Sequence, residues 1–366
     1  MPESSDTRIC SRCVLPGTTP GIRFDSHGVC NYCIGYQPMT VLGENELRAI
    51  LERQKQRSGS KQYDCIVGLS GGRDSTYVLW MLVKKYGMRV LAVHYHNPFT
   101  SEQALKNIER ASTILSVPVL RWQYPAGAQE RATRKAIRVW AKNPSSKLIP
   151  LVCAHCKSWW FEYFRICRQH GIDLMVIGSN PLETASFKKE GFGGARTYHK
   201  LSNIPKMVYR AGKEVLSNPS LLTLSWPLTI RMYLGASHST PYMRYRYKDI
   251  SVIRLFDYIK WNETEVERTI SQELEWRRSD EVPSSWRFDC RLDYARRLMY
   301  ASTIGVTELQ DLFSKMIREG ILSRDDALAR LERENHVPAA SVERVLGELG
   351  LTLDALKLRG CGDYLT

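Results

Sequence analysis

The 366-residue sequence lacks several features that would assign it to large classes of proteins. No apolar run is long enough for a bilayer-spanning helix, and the most apolar candidate, Ser220 to Leu234, is interrupted by Pro227 and Arg231. The first residues, Met1 to Arg8, are polar and contain no apolar core, which argues against a secretory signal. No internal repeat or low-complexity segment is present. We therefore expect a cytoplasmic protein with no membrane span.

Acidic residues are too few to balance the basic ones. Lys and Arg total 52 against 38 Asp and Glu, which gives a formal net charge of +14. This excess favours anionic partners such as nucleotides, sugar nucleotides, acidic glycans or RNA. The cations are spread along the chain, however, so an ordinary mixed surface explains them equally well. Nucleic acid is therefore an alternative partner that composition does not favour.

Short apolar runs alternate with helical patterns over the first half of the chain. The apolar runs are 63–69, 89–94, 117–124 and 172–178, and this alternation predicts a doubly wound α/β fold with a parallel sheet. A Cys- and Gly-rich module precedes it, and helical patterns follow from about residue 261. We predict a cysteine module over 1–40, a nucleotide-binding domain over 41–260 with an irregular insertion about 186–250, and a helical region over 261–366.

The sharpest motif lies between the first predicted strand and its helix. It contains no Walker A lysine pattern but reads S-G-G-R-D-S, and its predicted phosphate-binding residues are Ser70, Gly71, Gly72, Asp74 and Ser75. Two glycines let backbone amides approach an anion, and the following helix directs its positive dipole end at the same point. Asp74 is predicted to hold Mg²⁺ or cap the helix. A plain strand-to-helix turn is the alternative.

Two further residues follow strands on the same predicted edge of the sheet, where ligands bind in doubly wound folds. His94 ends the second strand and Gly178 ends a later one, so both are candidate nucleotide-binding residues. For His94, a structural hydrogen-bonded histidine is an equally good reading.

Two C-x-x-C pairs lie near the N-terminus: Cys10 with Cys13, and Cys30 with Cys33. Two such pairs complete a tetrahedral thiolate site, and we predict a structural Zn²⁺ bound there. A redox-active or Fe–S site is the alternative.

With these motifs placed, the sequence resembles a known family. The S-G-G-x-D-S loop is similar to the signature of PP-loop ATP pyrophosphatases, of the HUP-like fold class. The segment from Cys10 to Cys33, the A-V-H-Y-H-N run 92–97 and the S-K-M-I-R-E-G run 314–320 resemble bacterial N-acetyl-sugar amidotransferases of surface-polysaccharide and nonulosonic-acid pathways. The resemblance implies cleavage of ATP to AMP and pyrophosphate, and conversion of an N-acetyl group to an acetamidino group with ammonia from a partner glutaminase.

One set of cysteines departs from that family. Cys153, Cys156 and the distant Cys290 resemble the three-cysteine set of PP-loop thiolating enzymes, which implies a [4Fe–4S] cluster with one open iron that carries sulfide. Arg287 and Arg291 flank Cys290 and would favour its thiolate. A second structural metal site and unrelated core thiols are the alternatives.

The resulting hypothesis is an enzyme that adenylates a carbonyl- or amide-type oxygen of a small-molecule or sugar-nucleotide acceptor, which the sequence does not identify, and then replaces that oxygen. Asp74 and the three cysteines are its candidate catalytic residues. Sulfur transfer from a sulfide donor is favoured over nitrogen transfer, and a tRNA-thiolating enzyme is the further alternative.

Overall fold

The computed structural model describes residues 8–187, 204–281, 284–356, 358 and 364–366. Its centre is a five-stranded parallel sheet in the order β3-β2-β1-β4-β5. The strands are β1 (Cys65–Gly68), β2 (Val90–Tyr95), β3 (Val119–Trp122), β4 (Leu174–Ile177) and β5 (Ser251–Arg254). The chain reverses its winding between β1 and β4, which confirms the predicted doubly wound fold.

Helices flank this sheet and continue beyond it. In the first half they are α1 (Asn31–Ile34), α2 (Glu44–Ser58), α3 (Arg73–Trp80), α4 (Glu102–Leu115), α5 (Ala128–Lys142), α6 (Ala154–Lys157) and α7 (Trp160–Gln169). In the second half they are α8 (Ile204–Ser217), α9 (Trp226–Leu234), α10 (Pro241–Arg246), α11 (Glu263–Leu274), α12 (Leu292–Ile304), α13 (Glu308–Arg318), α14 (Arg324–Glu334) and α15 (Ala339–Glu348). No helix of the described ranges is long and apolar enough to cross a membrane.

Both faces of the sheet are buried, as parallel sheets require. Alternate residues point to opposite sides, so Ile66 and Val93 pack with Met175 on one face, whereas Val67 and Ala92 belong to the larger core on the other. This continuous apolar character explains why the strands read as short hydrophobic runs in the sequence.

The segment predicted to be an irregular insertion is helical in its described part. It contains α8, α9 and α10, while its residues 188–203 lie outside the described residues. The aromatic and basic run 242–248 begins inside α10, where Thr240 caps the helix by accepting from Met243 N–H at 3.3 Å. This cap gives the segment a local helix start although its aromatics alternate with cations.

The N-terminal cysteine module packs against the C-terminal helices. Val14 N–H donates to Ser314 Oγ of α13 at 3.3 Å, and Arg324 of α14 donates to the carbonyl oxygens of Cys10 and Cys13 at 3.3 and 3.2 Å. The module therefore contacts residues about 300 positions away in the sequence, and its folding is tied to theirs.

Candidate active site

The phosphate loop connects β1 to α3 at the carboxyl edge of the sheet. Its conformation depends on glycine: Gly71 has φ +80°, and a Cβ there would lie 2.1 Å from the carbonyl oxygen of Ala104. Ser70 and Ser75 close the loop through their hydroxyls, 3.0 Å apart. On the next strand, a Cβ at Gly178 would lie 2.8 Å from the carbonyl oxygen of Asp74. Strand β4 thus lies against the start of α3 because residue 178 has no side chain.

Arg73, the variable residue of the motif, is buried beneath the loop, with 3% of its side chain exposed. Its guanidinium bonds Asp74 at 2.9 Å and Glu263 of α11 at 2.7 Å, and donates to Ser285 Oγ at 3.0 Å. It also stacks over the ring of Trp261 at 4.8 Å. The arginine therefore joins the phosphate loop to two later segments of the chain, a role that sequence reasoning missed.

The phosphate loop lines a cavity of about 580 Å³, and its own carboxylate, Asp74, shares that lining with Glu183 and Asp289 from later segments. Asp74 Oδ1 accepts from Arg73 and Trp261, while its buried Oδ2 has no partner among the described residues. Burial, and then the nearby Asp74 carboxylate, raises the pKa of Glu183 to about 7. The helix-cap alternative for Asp74 was wrong, since Gly72 occupies the N-cap position.

The structure thus adds Glu183 and Asp289 to the candidate residues. The one sequence signal for each was its position: Glu183 lies six residues after the end of β4, and Asp289 directly precedes Cys290. An unpartnered buried carboxylate oxygen beside two further acids matches the oxygen ligands that Mg²⁺ prefers.

His94 is the penultimate residue of β2 and is buried, with Nδ1 2.9 Å from the carbonyl oxygen of Leu69. Burial lowers the pKa of His94 to about 4, so the ring is neutral and Nδ1 carries the proton that it donates. Nε2 is then an acceptor, and the ring lines the cavity. His94 therefore has the hydrogen bond of a structural histidine and also faces the site.

The three later cysteines line the same cavity as the phosphate loop: Cys153, Cys156 and Cys290. Cys153 ends a 3-10 turn (Ile149–Cys153), and Cys156 lies in α6, where Gln129 of α5 donates to its sulfur at 3.4 Å. Cys290 is fixed by a bridge to Thr100 and by Arg291 N–H, which donates to Phe99 O at 2.8 Å.

The charges around these thiols differ from the sequence expectation. A hydrogen bond shared with Cys156 lowers the pKa of Cys153 to about 6, and the charges of Arg296 and Lys157 act in the same direction against burial. Burial raises the pKa of Cys290. Arg291 does not line the cavity: its guanidinium bonds Glu348 and donates to Pro98 O at 3.1 Å. The charge of Cys290 acts on Arg291 after those of Glu348 and Glu281, so Arg291 serves Cys290 less directly than its place in the sequence predicts.

The N-terminal cysteines form a different kind of set. All four are buried, and their sulfur atoms lie within 4.8 Å of one another: Cys10, Cys13, Cys30 and Cys33. The Cys10–Cys33 and Cys13–Cys30 sulfur distances are 3.9 and 3.8 Å. A tetrahedron with metal–sulfur bonds of about 2.3 Å requires sulfur atoms about 3.8 Å apart, so this set fits one metal ion.

Among the described residues, no comparable set includes Cys153, Cys156 and Cys290. Their sulfur atoms are spread too widely for one tetrahedral ion. A polynuclear centre, which has several metal atoms, has wider spacing between its ligands. Of the alternatives for these three cysteines, a second structural site with one metal ion therefore fits their geometry least well.

Comparisons with known proteins give short sequence matches and distant structural ones. No family model matches the chain. It is 30% identical over 102 residues to an uncharacterized protein of Methanocaldococcus jannaschii, covering 27% of this chain and 36% of that one. It is 44% identical over 52 residues to a probable tRNA sulfurtransferase of Natranaerobius thermophilus, covering 14% of this chain and 12% of that one. The matches thus span about a third and about an eighth of these relatives.

Two solved structures illustrate the structural matches. An NMN synthetase from Francisella tularensis aligns with a TM-score of 0.37 and 13% identity, over 80% of this chain and 92% of that one. A U34-tRNA thiolase from Methanococcus maripaludis, solved with its [4Fe-4S] cluster, aligns with a TM-score of 0.34 and 14% identity, over 86% and 87%. The chemistry of the site is accordingly argued from this chain's own residues.

Proposed function

We propose that this chain is an AMP-forming, ATP-dependent transferase that adenylates an oxygen of its acceptor and then replaces that oxygen with sulfur. One observation carries the proposal: a single cavity of about 580 Å³ is lined by the S-G-G-R-D-S loop and by three cysteines from two distant segments. A phosphate-binding loop without nearby thiols would fit many kinds of enzyme. Thiols beside the loop fit an enzyme that activates the acceptor oxygen and replaces it with sulfur in the same cavity.

In this proposal the amides of the phosphate loop and the start of α3 bind pyrophosphate. Asp74, whose Oδ2 has no partner among the described residues, holds Mg²⁺ against the phosphates, and Glu183 and Asp289 line the same cavity. The neutral Nε2 of His94 accepts a hydrogen bond from the nucleoside. AMP transfer makes the acceptor oxygen a leaving group, so these residues chiefly orient the reactants.

Cys153, Cys156 and Cys290 would hold an Fe–S cluster, which when bound supplies an open iron that carries sulfide to the activated carbon. The fit rests on their shared cavity, on spacing too wide for one ion, and on nearby cations. Arg296 and Lys157 place positive charge beside Cys153, which balances an anionic centre. Gln129 orients Cys156.

The four N-terminal thiols would hold Zn²⁺ in a structural role. Their contribution to the active site is indirect. Ser314 contacts the module, and its neighbour Lys315 donates to the carbonyl oxygens of Leu182 and Thr184, on either side of Glu183. We propose that zinc holds α13 in place and thereby positions that carboxylate.

The reaction is tested with ATP labelled in the α-phosphate, Mg²⁺, sulfide and a low-molecular-weight cell extract, with total RNA as a parallel acceptor. We expect labelled AMP and unlabelled pyrophosphate as the two products of ATP cleavage. Gly72→Val should abolish formation of AMP. A Cβ at residue 72 would already lie 3.2 Å from Ser70 Oγ and from Asp289 Oδ2, so the larger valine side chain would crowd the loop. ADP as the main product would exclude the proposal.

The transferred group is tested separately by metal analysis. Anaerobically reconstituted protein should bind about four irons beyond the zinc. Cys290→Ser should lose the iron and turnover while it still binds ATP. Cys167→Ser, which removes a buried thiol of α7 that does not line the cavity, is the control and should retain iron. An iron-free protein that turns over with ammonia would instead support the amidotransferase alternative.

A basic groove of about 530 Å³ favours RNA as a second candidate class of acceptor. Its lining contains five cations of α5: Arg131, Arg134, Lys135, Arg138 and Lys142. None of these five cations forms an ion pair with a described residue. Like charges four residues apart on a helix repel each other by about 0.2–0.5 kcal/mol per pair, and an anionic ligand would relieve that repulsion. RNA binding measured against salt should give a steep slope that falls when Lys135 and Arg138 are changed to Gln. Unchanged binding would exclude the groove as the RNA site.

A further inference from the structure

Arg287 has a backbone conformation that side chains rarely adopt. Three non-glycine residues of the described chain have positive φ: Ser116 at 53°, Glu275 at 52° and Arg287 at 53°. Ser116 and Glu275 terminate α4 and α11, where a left-handed residue is common. Arg287 ends no helix. A residue with a side chain is strained in the left-handed region, so the surrounding fold must hold Arg287 in this conformation.

The flanking residues show what enforces this conformation. Trp286 and Phe288 are buried on either side, with 2% and 1% exposed. Ser285 accepts from Arg73, and Asp289 lies against Gly72 of the phosphate loop. The chain is therefore anchored before and after residue 287, and the turn between the anchors directs Arg287 into the cavity.

The guanidinium of Arg287 has no hydrogen bond or ion pair with any residue that the structure describes. It lies over the ring of its neighbour Trp286, 4.9 Å from the ring centroid. Other arginines near the cavity are engaged: Arg73 bonds Asp74 and Glu263, and Arg296 bonds Asp293 and Glu308. Arg287 is thus a cation free to bind a ligand.

Arg287 lies in the chain segment that joins the two halves of the site. Two residues after it, Asp289 lies against Gly72 of the phosphate loop, and Cys290 follows directly and lines the same cavity. We propose that Arg287 binds the α-phosphate of ATP and the negative charge that develops on it during AMP transfer. This inference rests on the proposed ATP cleavage, and it places the reacting phosphorus between the pyrophosphate loop and the three thiols.

The step that Arg287 serves is balanced without another reactant. The acceptor oxygen forms a bond to the α-phosphorus, and the bond from that phosphorus to the α,β-bridging oxygen breaks. The bonding electrons leave with pyrophosphate, which the loop and Mg²⁺ retain. Negative charge on the two non-bridging α-oxygens then lies opposite the guanidinium, which donates two parallel hydrogen bonds.

The test measures binding of two probes, Mg²⁺ with α,β-methylene-ATP and Mg²⁺ with pyrophosphate, by calorimetry. Arg287→Gly should weaken binding of the ATP analogue about tenfold or more, the range for a lost charge-assisted hydrogen bond, and change pyrophosphate binding less than twofold. Arg287→Lys should fall between. Arg291→Gln removes the same charge four residues away, outside the cavity, and should change neither affinity.

Thermal unfolding gives an independent reading of the strain. Arg287→Gly and Arg287→Ala both remove the guanidinium, but only glycine relieves the positive φ. The glycine variant should melt roughly 2 °C or more above the alanine variant. Equal melting temperatures of the two variants would show that the backbone at residue 287 is not strained.

The outcomes separate this inference from the proposed function. Wild-type protein that binds neither probe would overturn the ATP-dependent function itself. Wild-type protein that binds both, with Arg287→Gly affinities unchanged, would overturn the role of Arg287 alone. An equal loss for both probes would place the guanidinium at the pyrophosphate and exclude the α-phosphate assignment.

Discussion

Replacing Arg73 by methionine should destabilise the protein more than any other single change at a charged residue of the site. The side chain is 3% exposed and contacts four carboxylates: Asp74 at 2.9 Å, Glu263 at 2.7 Å, Glu267 at 3.6 Å and Glu183 at 3.9 Å. Methionine fills a similar volume but leaves these acids facing one another without a cation.

The magnitude follows from this burial. Removing one partner of a buried ion pair costs about 3–5 kcal/mol, because the charge left behind is uncompensated. For a domain of this size each kcal/mol lowers the melting temperature by about 2–4 °C, so a fall of roughly 6 °C or more is expected. Arg73→Lys keeps the positive charge and should lower the free energy of unfolding by less. Some loss is still expected, because one ammonium group cannot reproduce the contacts of a planar guanidinium.

Arg278→Met is the matched control. Arg278 bonds Glu267, one of the same four carboxylates, but 54% of its side chain is exposed. Because water screens this pair, its loss should cost at most about 1 kcal/mol. Differential scanning fluorimetry and urea unfolding without nucleotide measure both variants. If Arg73→Met unfolds within about 1 kcal/mol of the wild type, the reasoning that this network joins the loop to α11 is refuted.

Three further predictions concern the loop, the zinc module and His94. Gly178→Ala should weaken ATP binding, since its Cβ would meet Asp74 O at 2.8 Å, whereas Gly212→Ala, with open space around it, should not; equal ATP affinities would count against the close approach. Cys30→Ser should lose zinc and lower the melting temperature, and an equally stable zinc-free variant would exclude a structural metal. His94 has a folded pKa of about 4, below the usual value, so its stabilisation is present above pH 6.5 and is lost as pH falls towards 4. Between pH 6.5 and 4, the free energy of unfolding of the wild type should fall by about 3 kcal/mol more than that of His94→Gln. Urea unfolding measures both, and parallel pH profiles of the two proteins would contradict this prediction.

The fold followed from sequence where the signals are local. Parallel strands buried on both faces read as apolar runs, and all four predicted runs correspond to strands β1 to β4. Helix caps are equally local: Ser323 caps α14 and accepts from Asp326 N–H at 3.0 Å. The fifth strand, Ser251–Arg254, gives no comparable apolar run, because two of its four residues are exposed.

The prediction of helices failed where several short ones pack against the sheet domain. Helices α9 and α10 have nine and six residues, too short for a clear period in a segment rich in aromatics and cations. Their helical state depends on tertiary contacts more than on propensity. The segment was therefore predicted to be irregular.

By itself the sequence determined the parts of the site that are contiguous in the chain: the phosphate loop, with its required glycines, and the C-x-x-C pairs, whose spacing brings two thiols to one turn. Tertiary structure alone decided which distant residues join them. It placed Glu183 and Asp289 in the lining of the loop's cavity, buried Arg73 beneath the loop, kept Arg291 out of that lining and left Arg287 facing the cavity. The physical reason is that a local motif depends on backbone geometry within a few residues, whereas the direction and partners of a side chain depend on elements that reach it only when the whole chain has packed.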